Sequence, residues 1–171
     1  MADRGILNID DAVIHIPEGV CRVTDVIERE IEGFGTREYY VLVPVYDAGT
    51  KIFVPTDADS GKIRPVIDAD TALSLIDSLP TAESVWVVND KARQLRFSEI
   101  LSHCDHKEMI SLMRTLKNKS EETRDSGKKF HSADERAFRE VKRILFGEFG
   151  FVLGITPKEV PGFIEERLKE A

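Results

Sequence analysis

The hydrophobic period of this chain changes once. Through its first third apolar residues alternate with polar ones in long β-patterned segments, GVCRVTDVIEREIEG and TREYYVLVPVYDAGTKIFVP, with no helix between them; from Ala69 onward they recur at helical spacing. Strands and helices that follow one another, instead of interleaving, give an α+β chain in two domains and argue against parallel βαβ units. The boundary falls near residues 66–70, so the expected domains are 1–68, strand-rich, and 69–171, all-helical. A lone small sheet rarely encloses a pocket. Its exposed strand edges are then its working surface, which points to a docking module.

Within the first domain, AVIHIP (12–17) reads as a strand and Gly19 as the turn into a second strand, 20–32. There Glu28, Glu30 and Glu32 share one exposed face, and Arg29 points the other way. Gly33 and Gly35 make a hairpin loop into the strongest strand, 36–46, and Asp47-Ala48-Gly49 turns that into 51–54. Pro44 cannot donate to a ladder, so the pairing of its strand must break near its end. Pro55 stops the fourth strand, and 62–66 adds a fifth.

In the helical part, Ala72, Leu73, Leu75, Ile76 and Leu79 fall on one face before Pro80 ends the run. Asp105-His-Lys-Glu108 is a capping box ahead of Met109, Ile110, Leu112, Met113 and Leu116, and Ser132-Ala-Asp-Glu135 a second one ahead of Phe138, Val141, Leu145 and Phe149. Between them NKSEETRDSGKK is either a helix end or a loop. For the last helix two starts compete, Thr156 and Pro161.

A net charge of −7 and a pI near 5.2 exclude a protein coated in basic charge for non-specific nucleic-acid binding. No window approaches the ~18 apolar residues of a membrane span, and MADRGILNIDD has neither the basic nor the apolar region of a signal peptide. The only cysteines, Cys21 and Cys104, lie in segments of opposite character, which fits a reducing compartment; a cytoplasmic protein with no membrane partner is expected.

His103-Cys104-Asp105-His106 is the one cluster of metal-ligand types, but a structural zinc needs a second knuckle and none follows. No Gly-x-Ser-x-Gly, phosphate-cradling loop or His-Glu-x-x-His occurs. We therefore expect no enzyme, cofactor, metal or small-molecule substrate; an enzyme built on His103 or Cys104 is the remote alternative. Trp86, the only tryptophan, stands in ESVWVVNDKARQLRF, where Lys91, Arg93 and Arg96 face a single acid, Asp90. Two readings are open: a core anchor, or an exposed wedge that enters a base step while the cations Lys91, Arg93 and Arg96 hold phosphates.

The strand before Pro17 and Gly19, then EREIEG, REYYVLVPVY and IFVP, resembles the RNA polymerase-interacting domain shared by the CarD/CdnL bacterial transcription regulators and the transcription-repair coupling factor. The early Trp, the EIL segment before Cys104-Asp105, and SADERAFREVKRILFGEF resemble the helical domain of the CarD/CdnL branch, with Cys104 where a glycine is usual. The resemblance implies a Tudor-like small β-barrel followed by an all-α domain. It also implies docking on the RNA polymerase β subunit through Arg29, Val43, Phe53 and Pro55, with Trp86 at the upstream fork of promoter DNA, tuning open-complex lifetime. The alternative is an adaptor that binds polymerase or another protein without touching DNA.

Overall fold

The computed structural model describes residues 7–16, 18–57 and 62–170, so the expected strand end at Pro17 lies outside the described residues. The chain clusters into two compact units, Met1–Val66 and Ile67–Ala171. Among the described residues the first holds five strands, β1 (Ala12–His15), β2 (Gly19–Ile31), β3 (Gly35–Pro44), β4 (Ile52–Pro55) and β5 (Ile63–Pro65). They form one antiparallel sheet in the order β4-β3-β2-β1-β5. β4 and β5 are both edges: the sheet is open, where the resemblance implies a barrel. With the helices that follow, the chain is α+β.

The β2–β3 hairpin is the spine of this sheet. Phe34 sits at its tip between Gly33 and Gly35, whose φ of +85° and +78° belong to the left-handed region that a tight turn needs and a side chain resists. Glu32 therefore belongs to the turn, and only Glu28 and Glu30 share a strand face. Partway along, the ladder shifts: Val23 pairs with Leu42, but Asp25 pairs with Val41, which leaves Thr24 as an extra residue. Its hydroxyl donates to the Val41 carbonyl at 3.3 Å. The bulge reverses the parity of β2. Before it Cys21 and Val23 face the core; after it Val26 does, and the odd-numbered Arg29 turns outward.

Val13, Cys21, Val23, Tyr40, Leu42 and Val54 make the core, and burial pushes the Cys21 thiol up to about 11. β4 reaches only as far as Leu42 of β3, so Pro44, opposite Cys21, has no strand partner among the described residues on the side where its missing N–H would count. This is the break in pairing that the proline demanded.

The second unit holds α1 (Ala69–Ser78), a 3-10 turn (Leu79–Thr81), α2 (Asp90–His103), α3 (His106–Asp125), α4 (Ser132–Leu153) and α5 (Val160–Glu170). Side chains of Asp68, Asn89 and Asp105 cap α1, α2 and α3. The expected box at Ser132 is displaced by one residue: His131 is the cap, its Nδ1 accepting from the Ala133 amide at 3.3 Å. The polar NKSEETRDSGKK stretch prolongs α3 to Asp125 instead of looping. Helix α5 starts at Val160, after a turn in which the Glu159 carboxylate accepts from the Thr156 amide at 2.7 Å.

Helix α4 packs against each of the other four helices. Val141, Leu145 and Phe149 on it, and Met109, Leu112 and Leu116 on α3, are buried. A side chain at Gly150 would come within 2.8 Å of the Ile155 carbonyl oxygen, so the chain leaving α4 folds back at a distance only glycine permits.

Candidate functional site

Strand register places Arg29, Val43, Phe53 and Pro55 on one face of the sheet. Odd positions of β2 beyond the bulge oppose odd positions of β3: Arg29 faces Arg37 and Ile27 faces Tyr39. In turn Tyr39 faces Pro55 and Val41 faces Phe53. Val43, opposite Arg22, continues the same face. This is the face away from the core. Across β3 the Arg29 guanidinium stacks on the Phe53 ring, 4.3 Å from its centroid, while Phe53 stays 38% exposed. The stacked guanidinium is held in place yet keeps donors for a partner.

Among the described residues, two strand edges without a strand partner flank this face. One is β4; the other is β2 from Val26 onward, because β1 pairs only with Gly19 to Arg22. Register also adds Ile27, Arg37 and Tyr39 to the face, which sequence reasoning missed because parity could not be followed through the bulge. It missed Phe34 too, 87% exposed at the hairpin tip. Glycines on both sides of an aromatic were the signal there.

Trp86 lies in the segment between the 3-10 turn and α2. The backbone is pinned on both sides: the Val85 amide donates to Thr115 Oγ1 at 3.1 Å, and the Val87 and Val88 carbonyls accept from Arg93 Nη1 at 3.1 and 3.3 Å. The indole is half-buried. It has the Arg93 guanidinium 4.2 Å and the Lys119 ammonium 4.9 Å from its ring, with Phe97 tilted beside it at 6.4 Å. It is neither an enclosed core anchor nor a bare projecting wedge.

Arg93 is not a surface cation. It is 2% exposed and makes a bidentate pair with the equally buried Asp134, Nε to Oδ1 at 3.0 Å and Nη2 to Oδ2 at 2.9 Å, with Asp90 adding a third carboxylate contact. The bonds that Arg93 donates to Asp134 raise its pKa above the ordinary value and keep the guanidinium charged. Where the sequence suggested a phosphate contact, the structure has the donors of Arg93 engaged by Asp134, Asp90 and the Val87 and Val88 carbonyls, with its guanidinium against the indole. Arg96 is engaged as well, with Glu108 at 2.7 Å. Lys91, at the start of α2, is exposed. Lys119 and Asp134, which the sequence reading passed over, come from α3 and α4 and share no local pattern with Trp86.

Three residues of the His-Cys-Asp-His cluster, Cys104, Asp105 and His106, have structural partners. Cys104 ends α2 at φ +51°, the left-handed geometry that glycine adopts most readily, and its thiol donates to the Leu101 carbonyl. Asp105 caps α3, and His106 Nε2 lies 2.9 Å from the buried Glu148 carboxylate, which also accepts from the Ile67 amide. Among the described residues no group of three His, Cys, Asp or Glu could hold a metal, and no helix is long and apolar enough to cross a membrane.

A search of the curated proteins finds no match. Residues 7–67 match the family model described as the CarD-like/TRCF RID domain, a match that spans all five strands and stops at the helices. The sheet unit, with Arg29 stacked on Phe53 across its outer face, belongs to that family and is a CarD-like RNA polymerase-interacting domain.

Proposed function

We propose that this chain is a transcription regulator whose sheet domain, residues 1–68, docks on the RNA polymerase β subunit and whose helical domain, residues 69–171, modulates promoter open-complex stability. One observation carries the reading. The family match coincides with an outer sheet face on which Arg29, Val43, Phe53 and Pro55 lie together beside a free strand edge. A partner strand added to that edge gains main-chain hydrogen bonds for affinity, and the alternating side chains supply specificity. The small-barrel likeness and a cytoplasmic, polymerase-associated location belong to the same reading, and the family is one of protein-interaction domains, not of catalysts.

The test is a pull-down of the full chain with bacterial RNA polymerase. The parent should retain polymerase through its β subunit, and Arg29→Glu should lower affinity by about 2 kcal/mol, as for a charge lost from a complementary pair. Retention unchanged in both Arg29→Glu and Phe53→Ala would remove the docking site.

A second reading, an adaptor without DNA contact, is favoured by the burial of Arg93, the pairing of Arg96 and the net charge of −7, which together weaken the phosphate attraction that dominates DNA affinity. Trp86→Ala separates the two. If the indole works at the promoter fork, the variant keeps polymerase binding and shortens open-complex lifetime about tenfold, the equivalent of ~1.4 kcal/mol of lost stacking. Unchanged open-complex decay in a folded variant selects the adaptor.

A further inference from the structure

A cavity of about 540 Å³ opens in the helical unit between the end of α1 with its 3-10 turn, α3, α4 and α5. Trp86 does not line it. Its walls are apolar, with Met113, Phe138, Phe146, Ile164 and Leu168 contributed by three helices. No carboxylate lines it; Arg114, Lys117 and Lys142 do.

Several cations of this unit are paired, Arg93 with Asp134, Arg96 with Glu108, Arg143 with Glu140 and Arg167 with Asp77. The three cations of the cavity are not: among the described residues none of them has an acidic partner, and they lie together around one apolar space. Arg114 Nη1 is fixed by donating to the Leu79 carbonyl at 2.8 Å, and the Lys142 ammonium hangs over the Phe138 ring at 4.0 Å from its centroid. In a chain of net charge −7, an apolar cavity bordered only by unpaired positive charge selects its ligand twice, by apolar surface and by sign. The volume is that of small-ligand pockets, which span about 300–1,000 Å³.

We propose that this cavity binds a small anionic amphiphile: a single carboxylate or sulfonate head held by Arg114, Lys117 and Lys142, with an apolar body against Phe138, Phe146 and Ile164. It is a ligand site and requires no chemistry of the chain. The proposal is independent of polymerase docking, which uses the other unit.

The experiment titrates the full chain with the sulfonate dye 8-anilinonaphthalene-1-sulfonate, following its fluorescence, and then displaces it with decanoate and with decanol. One saturable dye site per chain is expected, with decanoate displacing at least about tenfold better than decanol. The double variant K117E/K142E, altered at the rim and away from the buried core, should melt like the parent and bind both anions about tenfold or more weakly. I164W, which fills the apolar half, should block the dye, and thermal melting of that variant shows whether it is folded. Absence of saturable binding, equal displacement by decanol, or unchanged anion affinity in K117E/K142E would overturn the proposal. So would an acidic amphipathic peptide that occupies the site when decanoate does not, because the cavity would then be a helix-docking groove.

Discussion

At the scale of single residues, the helical unit turns on Arg93. Its identity as a cation was legible, but its role was not, because the carboxylate that claims it, Asp134, is 41 positions away and is delivered by the first turn of a different helix. A sequence shows a basic residue near a tryptophan; only packing decides whether the charge reaches solvent. Removing one member of a buried ion pair leaves the other charged and uncompensated, at a cost of about 3–5 kcal/mol. Asp134→Asn should therefore destabilise the helical unit by roughly 3 kcal/mol, toward the low end of that range because Asp90 still reaches Arg93. Denaturant unfolding followed through the single tryptophan checks this, and the native emission should shift as the segment carrying Trp86 loosens. The same substitution in a merely exposed pair would change stability by less than about 1 kcal/mol.

At the scale of elements, most of what the sequence promised has formed, since capping and periodicity are local properties. Asp105 caps α3 as its box required, and Ala72 and Ile76 are the buried face of α1. The one-residue error at α4 arose because His131 offered a ring nitrogen where a hydroxyl was expected, and this shift leaves Asp134 free to turn inward toward Arg93. The element ends also set the acid response. Hydrogen bonds from Thr71 hold the Asp68 carboxyl below its ordinary 3.8, a bond from Arg167 does the same for Asp77, and the Thr156 amide lowers Glu159 from its ordinary 4.5. Each carboxylate binds protons less readily folded than unfolded, so the stability it contributes is present at neutral pH and is lost as pH falls below about 4.5. In the sheet unit burial lowers His15 from 6.5, so protonation favours the unfolded chain there and its loss of stability starts earlier, as pH falls through 6.5. Urea midpoints measured from pH 7 to pH 3 should accordingly decline for sheet signals before helix signals, and His15→Gln should flatten the first decline only.

At the scale of the whole molecule, the single change of hydrophobic period near residues 66–70 coincides with the end of the family match at residue 67 and with the division of the chain after Val66. The strands β1 to β4 pair in chain order, each with the next across the connection between them. The open form of the sheet was not legible in the sequence, since it depends on β4 and β5, which follow one another in the chain yet lie at opposite edges of the sheet. Likewise the gathering of Arg29, Val43, Phe53 and Pro55 on one face follows from register, which no local pattern reports.

The bulge at Thr24 acts as a selector between two faces written into the same strand. Beyond it, β2 carries an acidic set, Glu28 and Glu30, on even positions and Arg29, flanked by Ile27 and Ile31, on odd ones. One residue more or less upstream exchanges them. Deleting Thr24 should present two carboxylates where a guanidinium now stacks on Phe53, inverting the electrical sign of the face without altering any residue upon it. A folded deletion variant, verified by circular dichroism, should lose polymerase retention as fully as Arg29→Glu does. Retention at the parent level would show that the outer face is not what the polymerase meets. A surface whose charge is set by the count of residues, and not only by their kinds, tolerates substitution at Thr24 far better than it tolerates a length change.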